Sequence, residues 1–203
     1  MEKEAEKMTF GEKFKKHFTT TTLVLIPICA GINLIGGWLA TTLKLFVFLD
    51  MIGTIVAAAI GGPWVAAVVG LLTNIFMAIV ANPVYLPYAL VSIGVGLLTG
   101  YMVQKGFFKS FGGYVITWLA NTLLSVIISS AISILVFGGS TGATGGAALT
   151  AYLLATGQKI ITSVVATSFL ETLLDRAIAY FAAFIVLSRI PKKFISKVVS
   201  TSK

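Results

Sequence analysis

Charge is scarce in this sequence. Only 11% of its 203 residues are Asp, Glu, Lys or Arg, whereas an average soluble domain carries roughly 25%. So few charges cannot cover a water-facing surface, which argues against a soluble globular domain. One cysteine, Cys29, excludes an internal disulfide. One histidine, His17, gives no basis for a histidine-rich metal site, and it lies outside the apolar segments, so no Ser–His pair can form within them. No secretory signal is expected, because the first 18 residues mix Lys with Glu and show neither an apolar core nor a small-residue cleavage site. The glycines over residues 138–146 (GGSTGATGG) lack the GK[ST] ending that a phosphate loop needs. No other ATPase motif occurs, no cofactor or metal is called for, and an enzyme is not expected.

What the chain has in abundance is apolar length. It is 57% hydrophobic, with a mean hydropathy of +0.98. About 20 residues of helix cross a hydrocarbon core roughly 30 Å thick. Six apolar runs stand out, over residues 21–43, 47–60, 64–81, 85–102, 114–137 and 160–187. The first contains Pro27, which membrane helices tolerate because neighbours satisfy the freed carbonyl. The second is short and stops at Gly61-Gly62-Pro63, and the third ends at Asn82-Pro83, a turn signal. The expected fold is therefore an all-α integral membrane protein with six transmembrane helices over residues 19–190. Residues 1–18 are expected to form an interfacial helix, since Phe10, Phe14 and Phe18 share one face among lysines. Residues 191–203 form a basic tail. The glycine-rich stretch and the weakly apolar segment up to Lys159 read as one long outer loop.

The formal charge of +8 is a topology signal. Six spans put twelve flanking Lys and Arg on one side of the bilayer and only Lys44 and Lys159 on the other. Both termini are thus expected in the cytoplasm, and nucleic-acid binding drops out.

Small and polar residues recur at four-residue spacing, which puts them on single helix faces. One stripe holds Ala66, Gly70, Asn74, Ala78 and Asn82; a second holds Ser92, Gly96 and Gly100; a third holds Asn121, Ser125, Ser129 and Ser133. Two readings stand for each stripe, close helix packing or the lining of a solute cavity. In the last run, Glu171 and Asp175 share a face while Arg176 points about 100° away. Charges buried in lipid cost a few kcal/mol each, so these three are expected to face a cavity or partners: a solute, a neighbouring subunit, or an ion pair tying this helix to the bundle. Trp38, Tyr85, Tyr88 and Lys159 belong to the outer connections, which are expected to close over a small molecule.

The stretch over residues 36–74 reads GGWLATTLKLFVFLDMIGTIVAAAIGGPWVAAVVGLLTN. Its series LD-x-IGT, GPW and G-x-x-x-N resembles the substrate-binding S components of energy-coupling factor (ECF) vitamin transporters. That resemblance implies a bacterial cell-membrane protein that captures one water-soluble vitamin from outside, in a pocket walled by helices four to six. It also implies partners: a transmembrane coupling subunit and two cytoplasmic ATPases that supply the energy. The substrate-binding residues expected on this reading are Trp38, Asn82, Tyr85, Tyr88, Asn121, Ser125, Ser129, Lys159, Glu171, Asp175 and Arg176. The loop over residues 82–85 and the helix bearing Glu171, Asp175 and Arg176 look closest to the pantothenate-type members, with Lys159 or Arg176 facing the carboxylate. Many S components dock their coupling subunit through an Ala-x-x-x-Ala pair on the first helix. Here Ala30 is followed at the fourth position by Leu34, leaving Ala30 and Gly31 as the small docking surface. An ion-coupled secondary transporter using Glu171 and Asp175 is the alternative, although no inverted repeat relates the two halves.

Overall fold

The computed structural model describes residues 18–190, all helix and connection with no strand among them. The interfacial segment expected over 1–18, apart from Phe18, and the basic tail over 191–203 lie outside the described residues. Seven α-helices follow in order: α1 Thr20–Thr42, α2 Ile52–Gly61, α3 Pro63–Val80, α4 Ala89–Gln104, α5 Phe111–Leu135, α6 Gly145–Ala155 and α7 Ile160–Arg189. Single 3-10 turns, Pro83–Tyr85 and Phe107–Lys109, precede α4 and α5.

Local chemistry sets the boundaries. Thr19 opens α1 with a reciprocal cap, its hydroxyl accepting from the Thr22 N–H while the Thr22 hydroxyl accepts from its own. Gly62, at φ 82°, breaks α2 from α3 in a conformation that L-residues rarely adopt, and Pro63 then begins α3 where its missing N–H costs nothing. Ser110 and Thr144 cap α5 and α6 without the reciprocal bond, their hydroxyls accepting the N–H of Gly113 and of Ala147.

α1, α3 and α5 are long and apolar enough to cross a membrane. The outer surface suits lipid: Leu23, Ile35, Ile79, Leu123, Ile127 and Phe181 are all exposed. The interior, by contrast, holds Asn33, Thr54, Asn74, Thr99 and Asn121 with essentially no exposure. This is the character of a membrane protein, with polar groups bonded to each other inside and apolar side chains outside. The ten residues of α2 rise only about 15 Å. Apolar all round, α2 lies at the centre of the bundle, with α1, α3, α4 and α7 packed about it.

Asn33 joins three helices at that centre. Its amide donates to the Thr54 hydroxyl at 2.9 Å and the Thr73 hydroxyl at 3.1 Å, and its carbonyl accepts the Gly53 N–H at 2.7 Å. The Gly53 N–H sits in the first turn of α2, where no helical carbonyl is available. Asn33→Ala strands that donor, so a loss of about 1–3 kcal/mol is expected, read as an earlier loss of monodisperse protein on heating in detergent. Thr54→Val should cost less, because it removes only one acceptor.

The sequence reading needs two corrections here. The run over 47–60 is not one helix: residues up to Met51 form an irregular connection, and Leu49 adopts φ 56°. The outer loop before the last helix is also not wholly irregular, since its second part forms α6. Thr144 caps that helix, and the Gly145 N–H donates to the Leu45 carbonyl at 3.0 Å.

Candidate solute-binding site

The paired stripes on α3 and α4 face each other and resolve as packing. A Cβ at Gly70 would lie 2.8 Å from the Ser92 carbonyl oxygen, and one at Gly96 would lie 2.7 Å from the Ala66 carbonyl carbon. Asn74 crosses the same seam to bond the Ser92 hydroxyl at 2.6 Å. The α5 stripe has a different fate. Ser125, Ser129 and Ser133 face a cavity of about 70 Å³.

Four elements wall this cavity. Val84, Tyr85 and Tyr88 come from the start of α4 and its leading turn; the serines come from α5; Val164, Thr167, Ser168, Glu171, Thr172 and Arg176 come from α7. The connection between α1 and α2 adds Phe48, Asp50 and Met51. Above lies a cover made of the glycine-rich stretch and the first half of α6, including Thr144, Gly146 and Thr150.

The floor is ionic. The Arg176 guanidinium bonds Asp175 at 2.5 Å and reaches the Ser125 hydroxyl at 3.4 Å. The second Asp175 oxygen accepts the N–H groups of Phe48 and Leu49 at 2.8 and 2.7 Å. The left-handed backbone at Leu49 turns these successive donors to one side, a small anion-binding concavity. Asp175 therefore fastens the α1–α2 connection to α7.

The same connection is also clasped from above. Lys44 donates to the carbonyls of Gly142 and Ala143 at 2.9 and 3.3 Å. Two tyrosines brace the wall: Tyr88 bonds Ser133 at 2.6 Å, and Tyr85 bonds Thr41. The Glu171 carboxylate lies directly against Gly146, so close that any Cβ there would overlap it. It thus meets the first turn of α6, where the helix dipole favours an anion.

Three buried polar atoms in this wall have no hydrogen-bond partner: Asp50 Oδ1, Thr167 Oγ1 and Glu171 Oε1. Asp50 and Glu171 are each only 6% exposed. Among the described residues, the one salt bridge is Arg176 with Asp175. Three carboxylates thus converge here against a single guanidinium. A second hollow, about 510 Å³ between α5 and α7, is larger but lined mostly by aromatic side chains such as Phe108, Tyr114, Trp118 and Phe184. None of its lining residues carries an unpartnered buried polar atom, so it has less with which to orient a polar solute.

Of the residues expected from sequence to bind substrate, Tyr85, Tyr88, Ser125, Ser129, Glu171 and Arg176 line the cavity. Asp175 acts beneath it, through Arg176 and the α1–α2 connection. The others fall elsewhere. Trp38 is 53% exposed on the outside of α1, and Lys159 is exposed at the start of α7. Asn82 caps the turn that carries Tyr85, accepting the Val84 N–H at 3.0 Å. Asn121 lies one turn below Ser125 and bonds the Tyr180 hydroxyl at 2.7 Å. Ala30 is also corrected as a docking surface: it is buried in the core, while Gly31 beside it has open space around it.

Asp50 is the main residue that the sequence reading left out of its binding set. A signal existed. Four of the seven acidic residues fall in the first twelve positions, and the other three, Asp50, Glu171 and Asp175, all meet at this site. No family model, curated protein or solved structure matches the chain.

Proposed function

We propose that this chain is a solute-capturing membrane subunit of the S-component type, working with an ATP-driven coupling module and performing no catalysis itself. The observation that carries the proposal is the covered cavity, largely apolar with a few buried polar groups in its wall. Two irregular segments, the α1–α2 connection and the glycine-rich stretch, clasp each other over walls supplied by α4, α5 and α7. About 70 Å³ is space for a few water molecules, so a vitamin-sized solute requires the cover to lift. In this reading α1, α3, α4, α5 and α7 cross a bacterial cell membrane, α2 completes a sixth crossing only together with the irregular connection before it, and both termini lie in the cytoplasm. The excess of Lys and Arg on one side supports that orientation. The coupling subunit would dock on the α1 face that bears Gly31, where small size leaves room for close approach.

A second reading, an ion-coupled secondary transporter, is favoured by one observation. The carboxylates of Asp50 and Glu171, each with one oxygen lacking a hydrogen-bond partner, are candidate carriers of a proton or cation. Uptake into proteoliposomes separates the two. Accumulation of the solute only when a coupling subunit, ATPases and ATP are present is the expected outcome. Accumulation by this chain alone under an ion gradient would establish the second reading instead.

The pantothenate resemblance rests on the loop over residues 82–85 and the helix bearing Glu171, Asp175 and Arg176, and it expects Lys159 or Arg176 to face the carboxylate. Lys159 is exposed outside the cavity, and Arg176 is already bonded to Asp175. The identity of the solute is therefore better sought in the charge of the cavity itself.

A further inference from the structure

We infer that the solute is a small organic cation, its protonated amine or quaternary nitrogen held between the carboxylates of Asp50 and Glu171. This rests on the solute-capture reading above and names the class of solute. Asp50 and Glu171 line the same cavity, both are more than nine-tenths buried, and each has one oxygen without a hydrogen-bond partner. A buried charge is tolerated when it is paired. Arg176 is the cation in the wall, and it is bound to Asp175 and Ser125. The lysines near this end, Lys44 and Lys159, are exposed, with Lys44 held by backbone carbonyls of the cover. Among the described residues neither Asp50 nor Glu171 forms a salt bridge, and one oxygen of each is left for a donor from outside.

An organic cation fits better than a metal ion. No group of three or more His, Cys, Asp or Glu among the described residues could hold a metal. Tyr85 and Tyr88 in the same wall add aromatic rings, which attract organic cations through their faces. An acid would find the one guanidinium in the wall already engaged by Asp175. The available space suits the charged head of such a molecule, with the remainder extending beneath the cover.

The test uses the full chain, purified into lipid nanodiscs, with thiamine, choline and benzylamine as cationic probes and pantothenate and biotin as anionic ones. Binding is measured by calorimetry and by the shift in thermal unfolding. At least one cationic probe is expected to bind and both anions to fail. Glu171→Gln and Asp50→Asn should each raise the Kd of that cation tenfold or more, and Lys105→Gln at the opposite end should leave it unchanged. Binding of either anion, binding of none of the cations, or a cation Kd unchanged in both variants would overturn the inference. If the two variants fail to fold, the cation-over-anion preference of the unsubstituted chain decides. Proteoliposome uptake keeps the two proposals apart. An anion taken up with ATP-dependent coupling would refute this inference alone, whereas a cation accumulated by the isolated chain would refute the S-component reading alone.

Discussion

Asp175→Ala should lower stability by about 3–5 kcal/mol, the usual consequence of removing one member of a buried ion pair. Three groups lose their partner at once: the Arg176 guanidinium and the N–H groups of Phe48 and Leu49. Arg176 is only 3% exposed and keeps nothing but long contacts to the Ser125 hydroxyl. The α1–α2 connection loses its anchor on α7 as well, so the cavity wall bearing Asp50 should loosen. At about 2–4 °C per kcal/mol, the unfolding midpoint in detergent should fall by on the order of 10 °C. Asp175→Asn keeps an acceptor for the two backbone donors but not the charge, and should fall between the parent and the alanine variant. Equal melting of all three proteins would remove Asp175 from this role.

The second large effect is expected at Gly96. A Cβ there would lie 2.7–2.9 Å from the Ala66 carbonyl group and the Ala67 nitrogen, all of them main-chain atoms that cannot rotate aside. Gly96→Val must therefore force α3 and α4 apart, opening the seam that Gly70, Ser92 and Asn74 close. Overpacking commonly costs about 1–3 kcal/mol where side chains can adjust, and a backbone obstacle should exceed that range. Folded yield from membranes should drop sharply. Gly31→Val is the matched control, because nothing lies within 4 Å of its added Cβ, and it should express like the parent. Normal yield for Gly96→Val would mean that the two helices are not so closely packed.

Much of the fold can be read from apolar run length. The run over 21–43 became α1, 64–81 became α3, and 160–187 became α7, each within a few residues. Length alone failed where the backbone departs from helix inside an apolar stretch. Residues 47–51 are nearly as apolar as the helix after them, yet two of their N–H groups bond Asp175, more than 120 residues away, and no local pattern encodes that. α6 was hidden for another reason: it is as apolar as α1 but only 11 residues long, and its glycine-rich approach resembles a loop. Its cap at Thr144 and its hydrogen bond to Leu45 are what define its start.

The site shows a parallel limit. A four-residue stripe marks a helix face but does not say what that face meets. Gly70 and Gly96 meet backbone, whereas Ser125, Ser129 and Ser133 border the cavity, although the spacing is the same. The charged residues of the last helix were better indicators, since desolvation leaves buried charges few places to be. The same reasoning applied to Asp50, an isolated acid in an apolar stretch, would have added it to the set.

The position of Glu171 has one more consequence. A single carboxylate lies on the first turn of α6 and has an oxygen without a hydrogen-bond partner, so cover and solute would share one interaction partner on the proposed reading. By thermodynamic reciprocity, whatever factor an occupant contributes to keeping α6 in place, α6 returns as tighter retention of the occupant. On the proposed reading, the residue that would bind the solute also holds α6, so the position of this helix would differ between the loaded and the empty protein.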